Sequence, residues 1–378
     1  MDTRLWVCVI ILTAWSSTGI SAENRAFSGD VRGGYFDSER KARDGTRSEG
    51  DEFRMRLRLA GEREIGTNLR FRVRLAGRYG SDQDSHRFYL RGYAPTPTGT
   101  MFGDTTIDEF YLDSSEESRP WAIRIGRFQN QFALQGVASK GLDRNDSPNV
   151  DVTWTDGVHY RHELLPNWRA HVVLQHNHRN GPGSAVRAPL DFSDSNSRVA
   201  VFSGLEATRP AGPIVQRMAG VTWMPNALAT DGVDESRRDD YVTLVARGAA
   251  SWTLTEGGLR LVPGAEIGYA PNTPRSTVTD TASSGDASGL AWQVAASLYD
   301  IAPGHNLGVV YARIGAGWLL SGDFRGNDEL SEIRYQWRFS RLWSFEARYR
   351  IREEIRIPSV ADRRREDRDF YLRVSGRF

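Results

Sequence analysis

Apolar and polar residues alternate strictly over long stretches of this chain. In Phe53-Arg54-Met55-Arg56-Leu57-Arg58-Leu59, and again in Leu69-Arg70-Phe71-Arg72-Val73-Arg74-Leu75, the odd positions are apolar and the even positions are arginine. A period of two predicts half-buried β-strands: a helix would scatter the arginines around its circumference, whereas a strand sets them on one face. The pattern returns near the C-terminus. Ile333, Tyr335, Trp337 and Phe339 alternate with Glu332, Arg334, Gln336 and Arg338, and Trp343 to Ile351 alternate with Ser344, Glu346, Arg348, Arg350 and Arg352. The last strand sets Phe370, Leu372, Val374, Gly376 and Phe378 against Tyr371, Arg373, Ser375 and Arg377.

The connections between these runs fall into two length classes. Short turns are expected near 61–67, 114–119, 165–167, 210–214, 255–258, 301–306 and 340–341. Longer polar stretches lie between them, near 38–50, 81–105, 129–154, 178–197, 225–240, 271–288, 320–328 and 354–367. Short turns at one end and long loops at the other describe a transmembrane antiparallel β-barrel, here of about sixteen strands, with both termini on the periplasmic side. A soluble sandwich or propeller need not sort its loops this way, and no blade repeat is present. Trp121, Trp168, Trp223, Trp252 and Trp343 fall near strand ends, where aromatic girdles meet the membrane interface.

The N-terminus adds an export signal. Met1 to Arg4 is a short polar start, Leu5 to Trp15 is apolar, and Ser16 to Ala22 supplies small residues suited to cleavage. Residues 1–22 are therefore expected to form a signal peptide and 23–378 the barrel. The only cysteine, Cys8, would leave with the signal; it sits inside the apolar run rather than after it, which argues against a lipoprotein anchor. No other segment is long and apolar enough to cross as a helix, so a membrane must be crossed by strands. A net charge of +1 and a mean hydropathy of −0.51 would equally suit a soluble protein, so the patterning decides.

If the apolar residues face lipid, the even arginines face the lumen. With a turn at Glu62–Gly66, Leu59 is expected to pair with Leu69, placing Arg58 opposite Arg70, Arg56 opposite Arg72 and Arg54 opposite Arg74. Like charges that close are destabilising unless water or carboxylates screen them, so a dry core is excluded and a wet interior implied. Closure of the last strand on the first adds Arg32, Arg334, Arg338, Arg348, Arg350, Arg373 and Arg377 to the same wall. Rings of arginine favour anions. Alternatively, Glu332, Glu346 and nearby acids neutralise these arginines in wall ion pairs, and both readings stand at this point. Lys41 and Lys140 are the only lysines.

Candidate chemistry is sparse. His159 and His162 differ in strand parity, as do His171 and His176, so these histidines read as loop or lumen residues rather than a metal or catalytic set. No Gly-x-Ser-x-Gly elbow or His-Glu-x-x-His motif occurs. The acidic loops Asp231 to Asp240 and Asp362 to Asp369 read as solvated outer loops.

The terminal strand ending in Phe378, with Phe370, Leu372 and Val374 on its face, resembles the C-terminal signature of outer-membrane barrels, and the whole layout is similar to the 16-stranded general porins of Gram-negative outer membranes. That resemblance implies that Phe378 is read by the barrel assembly machinery and that the third outer loop folds into the lumen. The matching segment is Phe128–Trp154, with Lys140, Asp143, Arg144, Asp146 and Asp151; Asp143, Asp146 and Asp151 would face the basic wall across a transverse field. It further implies passive diffusion of small hydrophilic solutes and ions with modest anion preference, contact with outer-membrane lipid and lipopolysaccharide, and a homotrimer. No enzyme activity, cofactor, metal or nucleic-acid partner is expected. The rivals are an arginine-lined conduit for an acidic polysaccharide, as in alginate exporters, and an outer-membrane barrel enzyme.

Overall fold

The computed structural model describes residues 25–83, 85–88, 103–115, 119–130, 132–143, 154–177, 188–232, 238–320, 323–358 and 361–378; the expected signal segment lies outside them. The first long strands are β1 (Arg25–Lys41), β2 (Arg47–Ile65), β3 (Leu69–Gly80) and β4 (Asp104–Ser115). They are followed by β5 (Trp121–Phe128), β6 (Thr155–Leu165), β7 (Trp168–His176) and β8 (Val199–Ala207). The second half adds β9 (Ile214–Ala229), β10 (Arg238–Ala250), β11 (Arg260–Tyr269) and β12 (Leu290–Ala302). It ends with β13 (His305–Ile314), β14 (Asp328–Trp337), β15 (Trp343–Glu354) and β16 (Glu366–Arg377). Two further pieces are minor: Trp252–Thr253 prolongs the β10 stave, and Arg87–Phe88 runs parallel along the start of β4.

These strands form one closed antiparallel sheet of sixteen staves. Closure is direct: β1 pairs with β2 on one edge and with β16 on the other, from Asp30↔Arg377 to Lys41↔Glu366. The seam continues past β16, where the Phe378 amide donates to the Gly29 carbonyl at 3.1 Å and the Gly29 amide to the Phe378 carbonyl at 2.8 Å. A closed sheet has no free edge, the condition for β-structure in hydrocarbon.

Alternation sets the two faces as the sequence predicts. Phe53, Phe110, Ile125, Leu244, Ile267 and Val294 stand exposed on the outside, an apolar surface suited to acyl chains and not to water. Trp121, Trp168, Trp252 and Trp343 lie at the short-turn ends of their staves, forming a girdle at that rim, while Trp223 lies nearer the long-loop end of β9.

Two expectations about the first hairpins are corrected. The β2–β3 turn is not at Glu62–Gly66 but at 66–68, with Gly66 at φ +67°, so Ile65 pairs with Leu69 and Leu59 with Leu75. Arg58, Arg56 and Arg54 therefore oppose Ala76, Arg78 and Gly80, while Glu62 opposes Arg72 and Glu64 opposes Arg70. The polar stretch 38–50 is not a long loop: pairing continues to Lys41↔Arg47, leaving only 42–46 as the turn. Above the membrane both faces of a hairpin meet water, so strand persists there without alternation.

Candidate functional site: an arginine wall and a docked third loop

The arginines of β2 and β3 do face inward, and carboxylates meet them. Asp30 on β1 accepts from Arg56 at 2.8 Å and Arg58 at 2.6 Å, and lies 4.0 Å from Arg32. Arg72 lies between Glu62 (2.9 Å) and Glu109 (2.6 Å), and Arg70 donates to Asp113 at 2.9 Å. Arg74 is held by both Asp108 (2.7 Å) and Glu109 (2.8 Å). Two successive residues should point to opposite faces of a strand. Here a bulge shifts the β3–β4 register between Arg74 and Leu75, which brings both carboxylates inward. Arg54 pairs with Glu52 and packs 4.8 Å from the Phe36 ring.

The C-terminal strands continue the wall. Arg334 donates to Glu332 at 2.6 Å, Arg373 to Glu346 at 2.8 Å, and Arg350 to Asp369 at 2.6 Å, with Arg348 on the same Asp369. Arg338 is exposed at the short-turn rim. Ion pairs thus run through both groups of arginines, those of β2 and β3 and those of β14–β16.

The third outer loop enters the barrel and crosses to the opposite side. From Phe128 it runs past β9, where the Gln135 amide donates to Gln216 at 2.8 Å. The Val137 amide then bonds Ser297 on β12 at 2.9 Å, and Leu142 donates to Glu266 on β11 at 3.0 Å. Lys140 reaches Glu332 on β14 at 3.0 Å, and Asp143 is bound by Arg247 on β10. Asp143 therefore lies buried against β10 and β11 and does not face the β1–β3 arginines. Arg144, Asp146 and Asp151 lie outside the described residues. Burial holds the Lys140 ammonium down to about 8, against the opposing pull of Glu332.

The receiving wall is built to accept the loop. Inward positions of β11–β13 are mostly small or apolar: Val262, Gly264, Gly268, Ala291, Gly308 and Ala312. At Gly308 a Cβ would come 2.9 Å from Val137 Cβ, and at Gly268 a Cβ would strike the Trp318 ring at 2.5 Å. Leu142 joins Leu190, Phe192, Trp318, Leu320 and Phe324 from neighbouring outer loops in one apolar cluster against this wall. The β10–β13 side of the interior is filled by loops. Two hollows lie on the arginine side of the interior. An upper one of about 370 Å³ includes Arg54, Arg78, Arg348, Arg350 and Arg352; a lower one of about 380 Å³ includes Arg32, Arg334, Arg338 and Arg373, with Val137 and Ser139 of the third loop against it. Buried Tyr371, its ring 5.2 Å from Phe36, stands between these levels.

Parity along single strands missed one cluster. His159 Nε2 and His171 Nδ1 lie 3.1 Å apart across β6 and β7, and His171 Nε2 bonds Glu206 at 3.0 Å. Phe132, at the root of the third loop, packs on His171 with centroids 5.1 Å apart. Pairing between neighbouring strands, not spacing within one, brings the rings together. No group of three or more His, Cys, Asp or Glu suited to a metal occurs among the described residues.

No protein-family model and no curated protein matches the chain. Solved structures do. OprB of Pseudomonas putida superposes with a TM-score of 0.63 at 11% identity over 94% of each chain. OccAB3 of Acinetobacter baumannii gives 0.56 at 12% identity, over 94% of this chain and 99% of its own. An anion-selective porin from Comamonas acidovorans gives 0.53 at 12% identity, over 94% and 99%. With the closed sheet and the inserted third loop, these likenesses establish that the chain has the sixteen-stranded barrel fold of Gram-negative outer-membrane porins.

Proposed function

We propose that this barrel is an outer-membrane porin, a passive diffusion channel for small hydrophilic solutes and ions that prefers anions. The observation that carries this reading is the pair of arginine-lined hollows inside the barrel. Guanidinium groups remain charged at any physiological pH and bind oxyanions through a planar fork, so the unfilled side of the lumen offers anions a succession of contacts. The likeness to an anion-selective porin points the same way. Residues 1–22 would direct export, Phe378 would be read by the assembly machinery, and lipopolysaccharide would surround the outer half; assembly as a homotrimer follows the resemblance. A continuous conduit for acidic polysaccharide is disfavoured because the third loop lies across the interior.

Single-channel recording in planar bilayers under a salt gradient tests the proposal. Discrete conductance steps and a reversal potential of anion sign are expected. Absence of channels overturns the pore, and a cation sign overturns the selectivity.

A further inference from the structure

The two hollows share one wall but differ in charge balance. The upper hollow sets seven arginines against six carboxylates. The lower one sets six arginines (Arg32, Arg334, Arg338, Arg341, Arg373 and Arg377) against two carboxylates, Asp30 and Glu346. Carboxylates thus nearly balance the upper lining, whereas the lower one keeps an excess of arginine even with Glu332, behind the lining, holding Arg334. The lower lining also carries Ser344 and Ser375, whose hydroxyls can donate. Arg373 is buried, and only its Nη2 is engaged, by Glu346 at 2.8 Å; its Nε and Nη1 have no hydrogen-bond partner. Arg338 and Arg341 stand exposed at the β14–β15 turn, where the hollow opens at the short-turn end.

We propose that the lower hollow is a binding site for oxyanions carrying two or more negative charges, entered from the short-turn mouth. The site is rich in donors converging from four strands and a turn. One chloride can neutralise only one guanidinium, whereas a diphosphate-type ion spans several at once and accepts bidentately from each fork. Low-dielectric walls focus the surplus positive potential into this recess, while the near-balanced upper hollow offers no comparable well. The proposal rests on the pore reading for its physiological sense, but the site can be measured without it.

The test uses the whole barrel in planar bilayers, with inorganic pyrophosphate as probe and chloride as the conducted ion. Orientation is read by blocking a biotin-labelled Asp362→Cys variant, whose cysteine lies in the last outer loop, with streptavidin from one chamber. Pyrophosphate added on the short-turn side is expected to block at concentrations about tenfold lower than from the long-loop side. The double variant Arg338→Gln, Arg341→Gln, altered only at exposed rim positions of the site, should lose that difference. Equal block from both sides, or stronger block from the long-loop side, overturns the site. If no channels form, the pore reading fails and calorimetry on the detergent-solubilised barrel decides the site. Pyrophosphate binding weakened about tenfold in the double variant sustains it; no binding overturns it.

Discussion

At the scale of single residues, the wall is governed by who shares a carboxylate with whom. Asp30 serves Arg56 and Arg58 together, so neutralising it leaves two guanidinium groups without their nearest counter-charge. Asp30→Asn is expected to lower stability by about 1–3 kcal/mol and to move the reversal potential further toward anions; thermal unfolding and bilayer recording check the two effects. Lys140 makes a pH-dependent prediction. Its ammonium, held down to about 8 by burial, loses its proton in the folded barrel at a pH where the unfolded chain keeps it. The unfolded state then binds more protons, so this group makes stability rise with pH between about 8 and the ordinary lysine value. Around pH 8 the folded interior loses one positive charge beside Glu332. Anion preference should therefore fall between about pH 7 and 9 in the wild type and stay flat in Lys140→Met. Constant selectivity in the wild type would show that this amine does not titrate there.

Elements depend on close approach at a few positions. Gly308 leaves the space in which Val137 rests, so Gly308→Leu should lift the third loop off β13, at a cost of about 1–3 kcal/mol, and alter single-channel conductance. At the seam, a Cβ on Gly29 would meet the Phe378 ring at 2.5 Å, and Gly29→Val should lower the temperature at which the folded band disappears on unboiled gels. The strands themselves were legible because lipid imposes a hydrophobic partner on every second residue. Legibility ended where that constraint ends. The 38–50 hairpin has no lipid-facing side at its tip, so its strands looked like loop. The β2–β3 register was misplaced because Glu62 to Ile65 are polar enough to look like turn, yet they pair with Leu69 to Arg72 and the chain turns only at 66–68. The bulge at Asp108 and the His159–His171 contact depend on pairing between strands, which spacing along one strand does not encode. The small inward residues of β11–β13 were a readable sign that something packs there.

For the whole molecule, the decisive feature is that the interior is unevenly occupied. Outer loops and the third loop press against β10–β13 through an apolar cluster, and the charged hollows lie on the side formed by β14–β16 and β1–β3. Carriage of ions past this wall, with anions favoured, is the expectation that planar-bilayer recording decides. The asymmetry also separates two jobs that a centred constriction would tie together. One half-cylinder acts as a buttress for the loops, and the other, outside ion-paired positions such as Asp30 and Glu332, as a surface whose chemistry can be rewritten. Solute preference could then drift, or be redesigned, by exchanging side chains on β14–β3 while the buttress stays untouched.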